Sequence, residues 1–185
     1  MATTSKIKIA SNALVLLGHP PISAFTEPGA GVAAVANLYD VSYENMLSLN
    51  RWRFAVKISP LSRLIDEPLN GFKYQYQLPS DMLYLIKVDT YNDYEVYGDK
   101  LHSNQNSVTI EYTHKVDEAL LPAYFAKAFE LYLASQLAIP VTANSTRADF
   151  YAGAYKDQLT RAFYLDATQR PQDYKETSEY VDVRN

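Results

Sequence analysis

Leu17-Gly18-His19-Pro20-Pro21-Ile22-Ser23 is the stretch on which the predicted fold depends most strongly. It separates two apolar-periodic segments, Lys6 to Leu17 and Val32 to Asn50, each long enough to form a helix. Gly18 suits the left-handed backbone that commonly ends a helix, and the Pro20-Pro21 pair prevents the helix from resuming. The stretch therefore predicts a structural break between two helices.

Both helical segments are amphipathic, so both are expected to cover a core with one face. The first presents Ile9, Ala13 and Leu17 on one stripe. The second is expected to direct these side chains inward: Val32, Val35, Leu38, Tyr39, Met46 and Leu49. Its solvent-facing side chains are predicted to be Asn37, Asp40, Glu44, Ser48 and Arg51.

Between Phe54 and Thr113 the spacing of apolar residues changes from helical to alternating. Tyr74 to Leu78 and Val108 to Thr113 are predicted to be half-buried strands, and Tyr84 to Thr90 is predicted to be a strand with both faces partly covered. Gly98-Asp99 has the chemistry of a hairpin turn. This part of the chain is therefore expected to form one small antiparallel sheet.

Two further helices are predicted after the sheet. Pro122 suits a first-turn position, and the third helix is expected to run to about Ala138 before Pro140 stops it. The third helix carries few charges, which places it either centrally in the core or against a neighbouring subunit. Asn144-Ser145-Thr146 offers N-caps for a fourth helix that reaches about Ala167.

Together these elements predict an α+β protein. A predominantly helical bundle of about four helices would comprise residues 1–54 and 115–168, with a small antiparallel β subdomain inserted at 55–114. Residues 169–185 show no helical stripe, which is typical of a flexible, extended C-terminal arm. Within this arm Tyr180, Val181 and Val183 favour a short strand that docks on a partner.

Composition excludes several classes of function. The chain of 185 residues has a formal net charge of −4, which argues against tight binding of nucleic acid because such binding needs clustered Lys and Arg. It has no cysteine, which excludes disulfides and thiolate sites. No apolar run approaches the ~20 residues of a membrane span, and the N-terminus lacks a secretion signal, so we expect no membrane partner.

Tyrosine is the compositional outlier, with sixteen copies spread over every predicted element. Tyrosine offers a large contact area and a polar tip at little cost in rotamer entropy, and it is enriched at protein interfaces. Most of these side chains are nevertheless expected to pack at the edges of the core. Because tyrosine is enriched at interfaces, the tyrosine-rich sheet is still a candidate contact surface.

The residues with reactive side chains form no catalytic or ligand-binding pattern. His19, His102 and His114 lack metal-ligand spacing, and the six glycines form no phosphate-binding loop. Acidic residues in the loops, such as Asp66-Glu67, are expected to be solvated or to cap helices. In Arg51-Trp52-Arg53 the indole is expected to point inward and the arginines outward. These patterns predict no enzymatic activity, no metal and no cofactor.

The chain resembles the tail tubular protein A family, the head-to-tail adaptor proteins of short-tailed bacteriophages. The first resemblance is a block in which an Ala- and Leu-containing helix leads into Leu-Gly-x-Pro-Pro-x-Ser, followed by a second helix and Trp-x-Phe. The matching positions are Ala10, Leu14, Leu17, Gly18, Pro20, Pro21, Ser23, Trp52 and Phe54. The second is the string Tyr-x-Tyr-x-Leu-Pro-x-Asp-x-Leu from Tyr74 to Leu83.

The resemblance implies a structural role in a virion neck or tail, for a protein made in the host cytoplasm. About twelve copies would form a ring between the portal protein and the tail nozzle protein. Double-stranded DNA would pass through its lumen without specific binding. The charge-poor third helix and the tyrosine-rich sheet are then candidates for the two surfaces that neighbouring copies share.

Roles are also expected for particular residues. The arm residues Tyr174, Tyr180, Val181 and Val183 are expected to bind the portal. A junction between the core and a neighbouring subunit is expected at Trp52, Phe54, Phe125 and Phe129.

Two other classes of function remain open from the sequence. One is a glycan-binding or peptidoglycan-acting tail component, for which a hydrolase would need two carboxylates about 5–10 Å apart in a cleft. The other is a soluble interaction domain that forms no ring.

Overall fold

The computed structural model describes residues 4–89 and 93–169 and shows a mixed α+β protein, which confirms the predicted fold class. Within these residues the helices are α1 (Lys6–Leu16), α2 (Ala30–Ser48), α3 (Ala123–Thr142) and α4 (Ser145–Ala167). The strands are β1 (Val56–Pro60), β2 (Ser62–Arg63), β3 (Tyr74–Gln77), β4 (Met82–Val88), β5 (Tyr94–Tyr97), β6 (Lys100–Ser103) and β7 (Thr109–His114).

The predicted break after α1 is confirmed in detail. Gly18 has a φ of 84°, and His19 N donates to Leu14 O while Gly18 N donates to Val15 O. These two bonds form a Schellman motif, which satisfies carbonyls at the end of the helix. The chain then returns over α1, where Ile22 N donates to the buried Ser11 Oγ at 3.0 Å.

The inward face of α2 differs from its prediction. Leu38 and Leu49 were expected in the core but are exposed, whereas Tyr43 and Leu47 are fully buried. The apolar arc of α2 is wider than the surface that the rest of the chain covers. The helical period identifies this arc but not the part of it that is buried.

The predicted stop at Pro140 is wrong, since α3 continues through this proline to Thr142. Pro140 lacks one backbone donor, and so close to the helix end this removes a single bond of the final turn. The helix ends instead at Ala143, whose φ is 49° and whose N–H donates to Ile139 O.

The prediction of a single sheet is also wrong, because the strands form two antiparallel sheets. Their strand orders are β1-β7-β4 and β2-β3-β6-β5. The Gly98-Asp99 hairpin turn is confirmed, as Tyr97 pairs with Lys100 across it. Bulges in the pairing of β4 with β7 shift the register twice.

Two hydrophobic clusters lie inside the described residues. The helical core surrounds α3, which packs against the other three helices, so the charge-poor helix is central. The sheet core lies between the two sheets and contains Tyr76 and Leu101 from one sheet and Ile110 and Tyr112 from the other.

The proposed domain boundaries at 55 and 114 stay a prediction. Of the predicted arm, residues 169–185, only Gln169 is among the described residues.

Candidate interaction surfaces

The four residues expected at a core and subunit junction lie together inside the helical core. Trp52, Phe125 and Phe129 are fully buried, and Phe54 packs against the same cluster. The ring centroids of Trp52 and Phe125 are 5.0 Å apart, and those of Phe54 and Phe125 are 4.9 Å apart. The indole Nε1 also donates to Met46 O at 3.0 Å.

The predicted role of these four residues at a contact between subunits stays a prediction. Trp52, Phe125 and Phe129 have no exposed surface to offer a neighbour. The apolar face of α3 is likewise covered by α1, α2 and α4. Surfaces for a partner are therefore expected among exposed side chains outside this cluster.

A buried carboxylate that the sequence did not single out fixes the segment after α2. Asp166 near the end of α4 is 3% exposed and accepts bonds from Arg53 N at 3.1 Å and from Tyr124 Oη at 2.9 Å. Burial, together with Asp166, raises the pKa of the Tyr124 phenol, so this hydroxyl stays a donor. The carboxylate thus joins α4 to the start of the first sheet.

The basic triplet makes contacts within the chain. Arg51 Nε donates to Glu111 Oε1 on β7 at 2.6 Å, and the Arg53 backbone is held by Asp166. The arginine charge is therefore partly neutralised within the chain.

The first exposed apolar surface, here called the α2 face, lies on α2. Leu38, Val41 and Leu49 share one side of the helix and are exposed, with Val41 reaching 71%. Neighbouring exposed apolar side chains on a regular element indicate a contact surface, whereas scattered single ones do not. Val15 on α1 is an example of the scattered kind.

The second exposed apolar surface is the 64–73 loop, which connects β2 and β3. Ile65 and Leu69 on this loop are fully exposed. The loop is nevertheless anchored, because Leu64 N donates to Gln75 O and Gln75 Nε2 donates to Asp66 O, both at 2.9 Å. A fixed loop that presents two large apolar side chains to solvent is suited to insertion into a partner.

Beneath this loop lies a cleft of about 450 Å³ on the outer face of the second sheet, here called the His102 cleft. The His102 ring lies 5.1 Å from the ring of Tyr97, and its Nδ1 is 3.1 Å from Asn70 Oδ1. The other lining residues are Glu67, Pro68, Leu69, Gln75 and Lys100. The cleft therefore combines the half-exposed ring of Tyr97 with the ammonium group of Lys100, the carboxylate of Glu67 and neutral hydrogen-bonding groups.

The remaining candidates for chemistry are not brought together. His19 and His114 bond to the neighbouring backbone carbonyls of Pro20 and Lys115, whereas the ring of His102 lies against Tyr97 and Asn70. Asp117 caps the short 3-10 turn Glu118–Leu120, as expected of a carboxylate ahead of a helical turn. Within residues 4–89 and 93–169, no group of three or more His, Asp or Glu side chains is arranged to hold a metal ion.

The expected portal-binding residues Tyr174, Tyr180, Val181 and Val183 lie outside the described residues. Their assignment stays a prediction from the sequence.

Comparison with known proteins places the chain in no family. Neither the family models nor the curated proteins searched include a match to it. Among the described helices, none combines the length and the apolar character that crossing a bilayer would require.

Proposed function

We propose that this chain is a structural adaptor of a short-tailed phage particle, which forms a ring between the portal and the tail nozzle. In this proposal α1 to α4 form the bundle of the subunit, and the two sheets form a subdomain inserted between α2 and α3. The role needs no reaction, metal or cofactor. The proposal draws on the resemblance of the Gly18 break, Trp52 and Phe54, and Tyr74 to Leu83 to the tail tubular protein A family.

The observation that carries the proposal is the pair of separate apolar surfaces, the α2 face and the 64–73 loop. A closed ring is built from heterologous contacts, in which one surface of each copy meets a different surface of the next. The α2 face lies on the helical part, and the loop lies on the outer side of the second sheet. A second copy of this chain is the partner we propose for them.

The charge of the chain supports a channel through which DNA slides. A net charge of −4 disfavours attachment to phosphates. Arg51 is already paired with Glu111 inside the chain, so it does not add to a basic lumen.

The test compares one valine on the α2 face with one outside it. We expect Val41→Glu to lower the assembled fraction by about tenfold, because the contact would bury an unpaired charge. Native mass spectrometry of the full chain, alone and mixed with purified portal, measures this fraction. Val15→Glu is the matched control, since Val15 is also a helical valine, exposed at 48%.

Rings formed equally well by wild type, Val41→Glu and Val15→Glu would show that the α2 face is not a contact. Solitary subunits under all conditions, including those in isolated virion necks, would overturn the adaptor function itself.

The His102 cleft favours a second candidate function, the binding of a glycan. Tyr97 offers a half-exposed ring for stacking on a sugar, while Lys100, Gln75 and Glu67 line the same space with hydrogen-bonding groups. Such a site would suit a tail component that contacts peptidoglycan.

Nuclear magnetic resonance titration with disaccharide fragments of peptidoglycan tests this candidate. Binding that Tyr97→Ala weakens about tenfold, and that Tyr84→Ala leaves unchanged, would support it. Glu67→Gln then shows whether any turnover depends on the cleft carboxylate. No binding at millimolar sugar would dismiss the candidate.

A further inference from the structure

A second groove, of about 720 Å³, lies beside β5 and is here called the β5 groove. It is lined by Leu85 of β4 and by all four residues of β5, Tyr94 to Tyr97. Successive side chains of a strand point to opposite faces of its sheet. A groove that touches all four must therefore run along the backbone edge of β5.

This edge is open among the described residues. β5 is the last strand in the order β2-β3-β6-β5, and β4 is the last strand of the other sheet. An open strand edge presents unpaired N–H and C=O groups, which favour pairing with another extended chain. The groove thus lies between two strand edges, neither of which has a described partner on that side.

The hairpin register identifies which backbone groups face the groove. Tyr97 and Lys100 flank the two-residue turn and form a hydrogen-bonded pair, as residues in this position of a tight hairpin do. In an antiparallel ladder, pairs that exchange backbone hydrogen bonds alternate with pairs that do not. The backbone of Glu95 is therefore hydrogen-bonded to that of His102, whereas the backbone groups of Tyr94 and Val96 make no hydrogen bond to β6. The N–H and C=O groups of Tyr94 and Val96 therefore point outward into the groove.

The side chains beside this edge define the strand that would fit. Tyr94, together with Leu85, packs towards the sheet core, while Glu95 and Tyr97 lie on the opposite face. Val96 shares the face of Tyr94 and is 43% exposed. An added strand would therefore carry apolar residues at alternate positions on one face and polar or aromatic residues on the other.

We propose that the β5 groove binds the segment Tyr180-Val181-Asp182-Val183 of a neighbouring copy as an added strand. Val181 and Val183 fall on one face of such a strand, and Tyr180 and Asp182 fall on the other. The 16 residues beyond Gln169 span about 50 Å when extended, which is enough to reach the next subunit. This assignment gives the segment a site within the ring, in place of the portal site that the sequence alone suggests.

The inference rests on the proposed ring, since it names the surfaces that two copies share. A strand donated to the next copy is a head-to-tail contact, as a cyclic assembly requires. It also covers an edge that would otherwise promote uncontrolled pairing.

Mixed cysteine crosslinking tests the proposal, because the chain has no cysteine of its own. Chains carrying Val96→Cys are mixed with chains carrying Val183→Cys under mild oxidation. The added strand would hold the two sulfurs within bonding range, so we expect about tenfold more mixed dimer than in a control. The control replaces Val96→Cys with Val15→Cys, at a position of similar exposure.

A second variant leaves the groove intact. Val183→Asp in the full chain is expected to lower the assembled fraction about tenfold in native mass spectrometry, because it places a charge against the apolar side of the groove. Tyr180→Asp, on the opposite face, is the matched control and is expected to have the smaller effect.

Rings without mixed dimer would overturn the strand assignment while leaving the adaptor function standing. A yield of mixed dimer equal to that of the Val15→Cys control would also overturn it, because the crosslink would then reflect random collision. Solitary subunits in every preparation would overturn both proposals.

Discussion

Tyr43 of α2 and Tyr97 of β5 show how differently the two parts of this molecule use aromatic residues. Tyr43 is fully buried, contacts Phe129 at 5.2 Å and donates its hydroxyl to Val116 O at 2.7 Å. Tyr97 leaves half of its surface exposed between the His102 cleft and the β5 groove. The helical part packs most of its aromatic rings in or against one cluster but leaves Phe150 and Tyr164 of α4 exposed, and the sheet part leaves Tyr84 and Tyr97 exposed.

The difference follows from geometry. A central helix surrounded by three others has little free surface, so α3 directs both Phe125 and Phe129 into rings from other elements. Two short sheets that pack on each other bury their inner faces, and α2 covers part of the other side of the β1-β7-β4 sheet, so accessible surface is left mainly on the outer face of the β2-β3-β6-β5 sheet and along its end strand β5. The smaller core of the sheet part is therefore accompanied by the larger share of candidate contact surfaces.

The sharpest test of this contrast is Trp52→Ala against Tyr84→Ala. We expect Trp52→Ala to lower the free energy of unfolding by about 3–5 kcal/mol, because a fully buried indole and its bond to Met46 O are lost. Tyr84 is 59% exposed, and its substitution is expected to cost about 0.5 kcal/mol. Urea denaturation followed by circular dichroism measures both values, and equal losses would erase the distinction between the two parts.

The second test concerns the link between the two parts. Asp166→Ala is expected to cost about 2–4 kcal/mol, since it leaves Arg53 N–H and the Tyr124 hydroxyl without their acceptor. Asp157→Ala changes an exposed aspartate of the same helix and is expected to cost at most about 0.5 kcal/mol. Denaturation midpoints of the two variants provide the comparison. A small loss for Asp166→Ala would mean that the junction is not held by this carboxylate.

The role of Asp166 is an example of a feature that the sequence did not predict. The Gly18 break and the Gly98-Asp99 turn depend on backbone preferences of a few adjacent residues, and both were predicted correctly. The bond from Arg53 to Asp166 spans 113 residues, and no local pattern encodes it. The division into two sheets likewise depends on long-range pairing, such as that of β1 with β7.

The candidate surfaces were predictable only in part. The abundance of tyrosine pointed to contact surfaces, but the charge-poor α3 proved to be internal. Leu38 and Leu49 were predicted in the core because periodicity identifies an apolar arc without showing what covers it. The exposure of the 64–73 loop and of the β5 edge depends on the order of the strands in the second sheet, which the alternating pattern of each strand does not encode.

A third test uses two neighbouring tyrosines inside the helical core. Tyr39 is fully buried, and its hydroxyl makes no hydrogen bond of good geometry among the described residues, although the Glu118 carboxylate is close enough to add to the effect of burial in raising the pKa of this phenol. Tyr39→Phe is therefore expected to leave stability unchanged or to raise it by about 1 kcal/mol, since a desolvated hydroxyl is removed. Tyr43→Phe is expected to lower stability by about 1 kcal/mol, because Val116 O loses its donor. Thermal unfolding of both variants gives the sign, and a loss for Tyr39→Phe equal to that for Tyr43→Phe would show that the Tyr39 hydroxyl has a partner in solution.

The smallest expected effect lies in the sheet part and depends on pH. Lys57 Nζ bonds to Asp81 Oδ2 at 2.7 Å, and this bond lowers the pKa of the Asp81 carboxyl. Both side chains are about half exposed, so screening limits the pair to about 0.5 kcal/mol. A lowered pKa in the folded state means that the contribution is complete above the unfolded pKa of about 3.9 and is lost as the pH falls through the folded value.

Asp81→Asn should therefore be less stable than wild type at pH 7, and the difference should disappear as the pH falls below the lowered pKa of the Asp81 carboxyl. The same bond raises the pKa of Lys57, so at the alkaline end the contribution is lost only as the pH rises through that raised value. Between these limits the difference in free energy of unfolding should be constant. Trp52→Ala involves no ionisable group, so its larger loss should persist across the whole range. A loss for Asp81→Asn that exceeds the Trp52→Ala loss at pH 7 would reverse the contrast, placing the stability of the chain in exposed pairs of the sheet part rather than in the buried rings around α3.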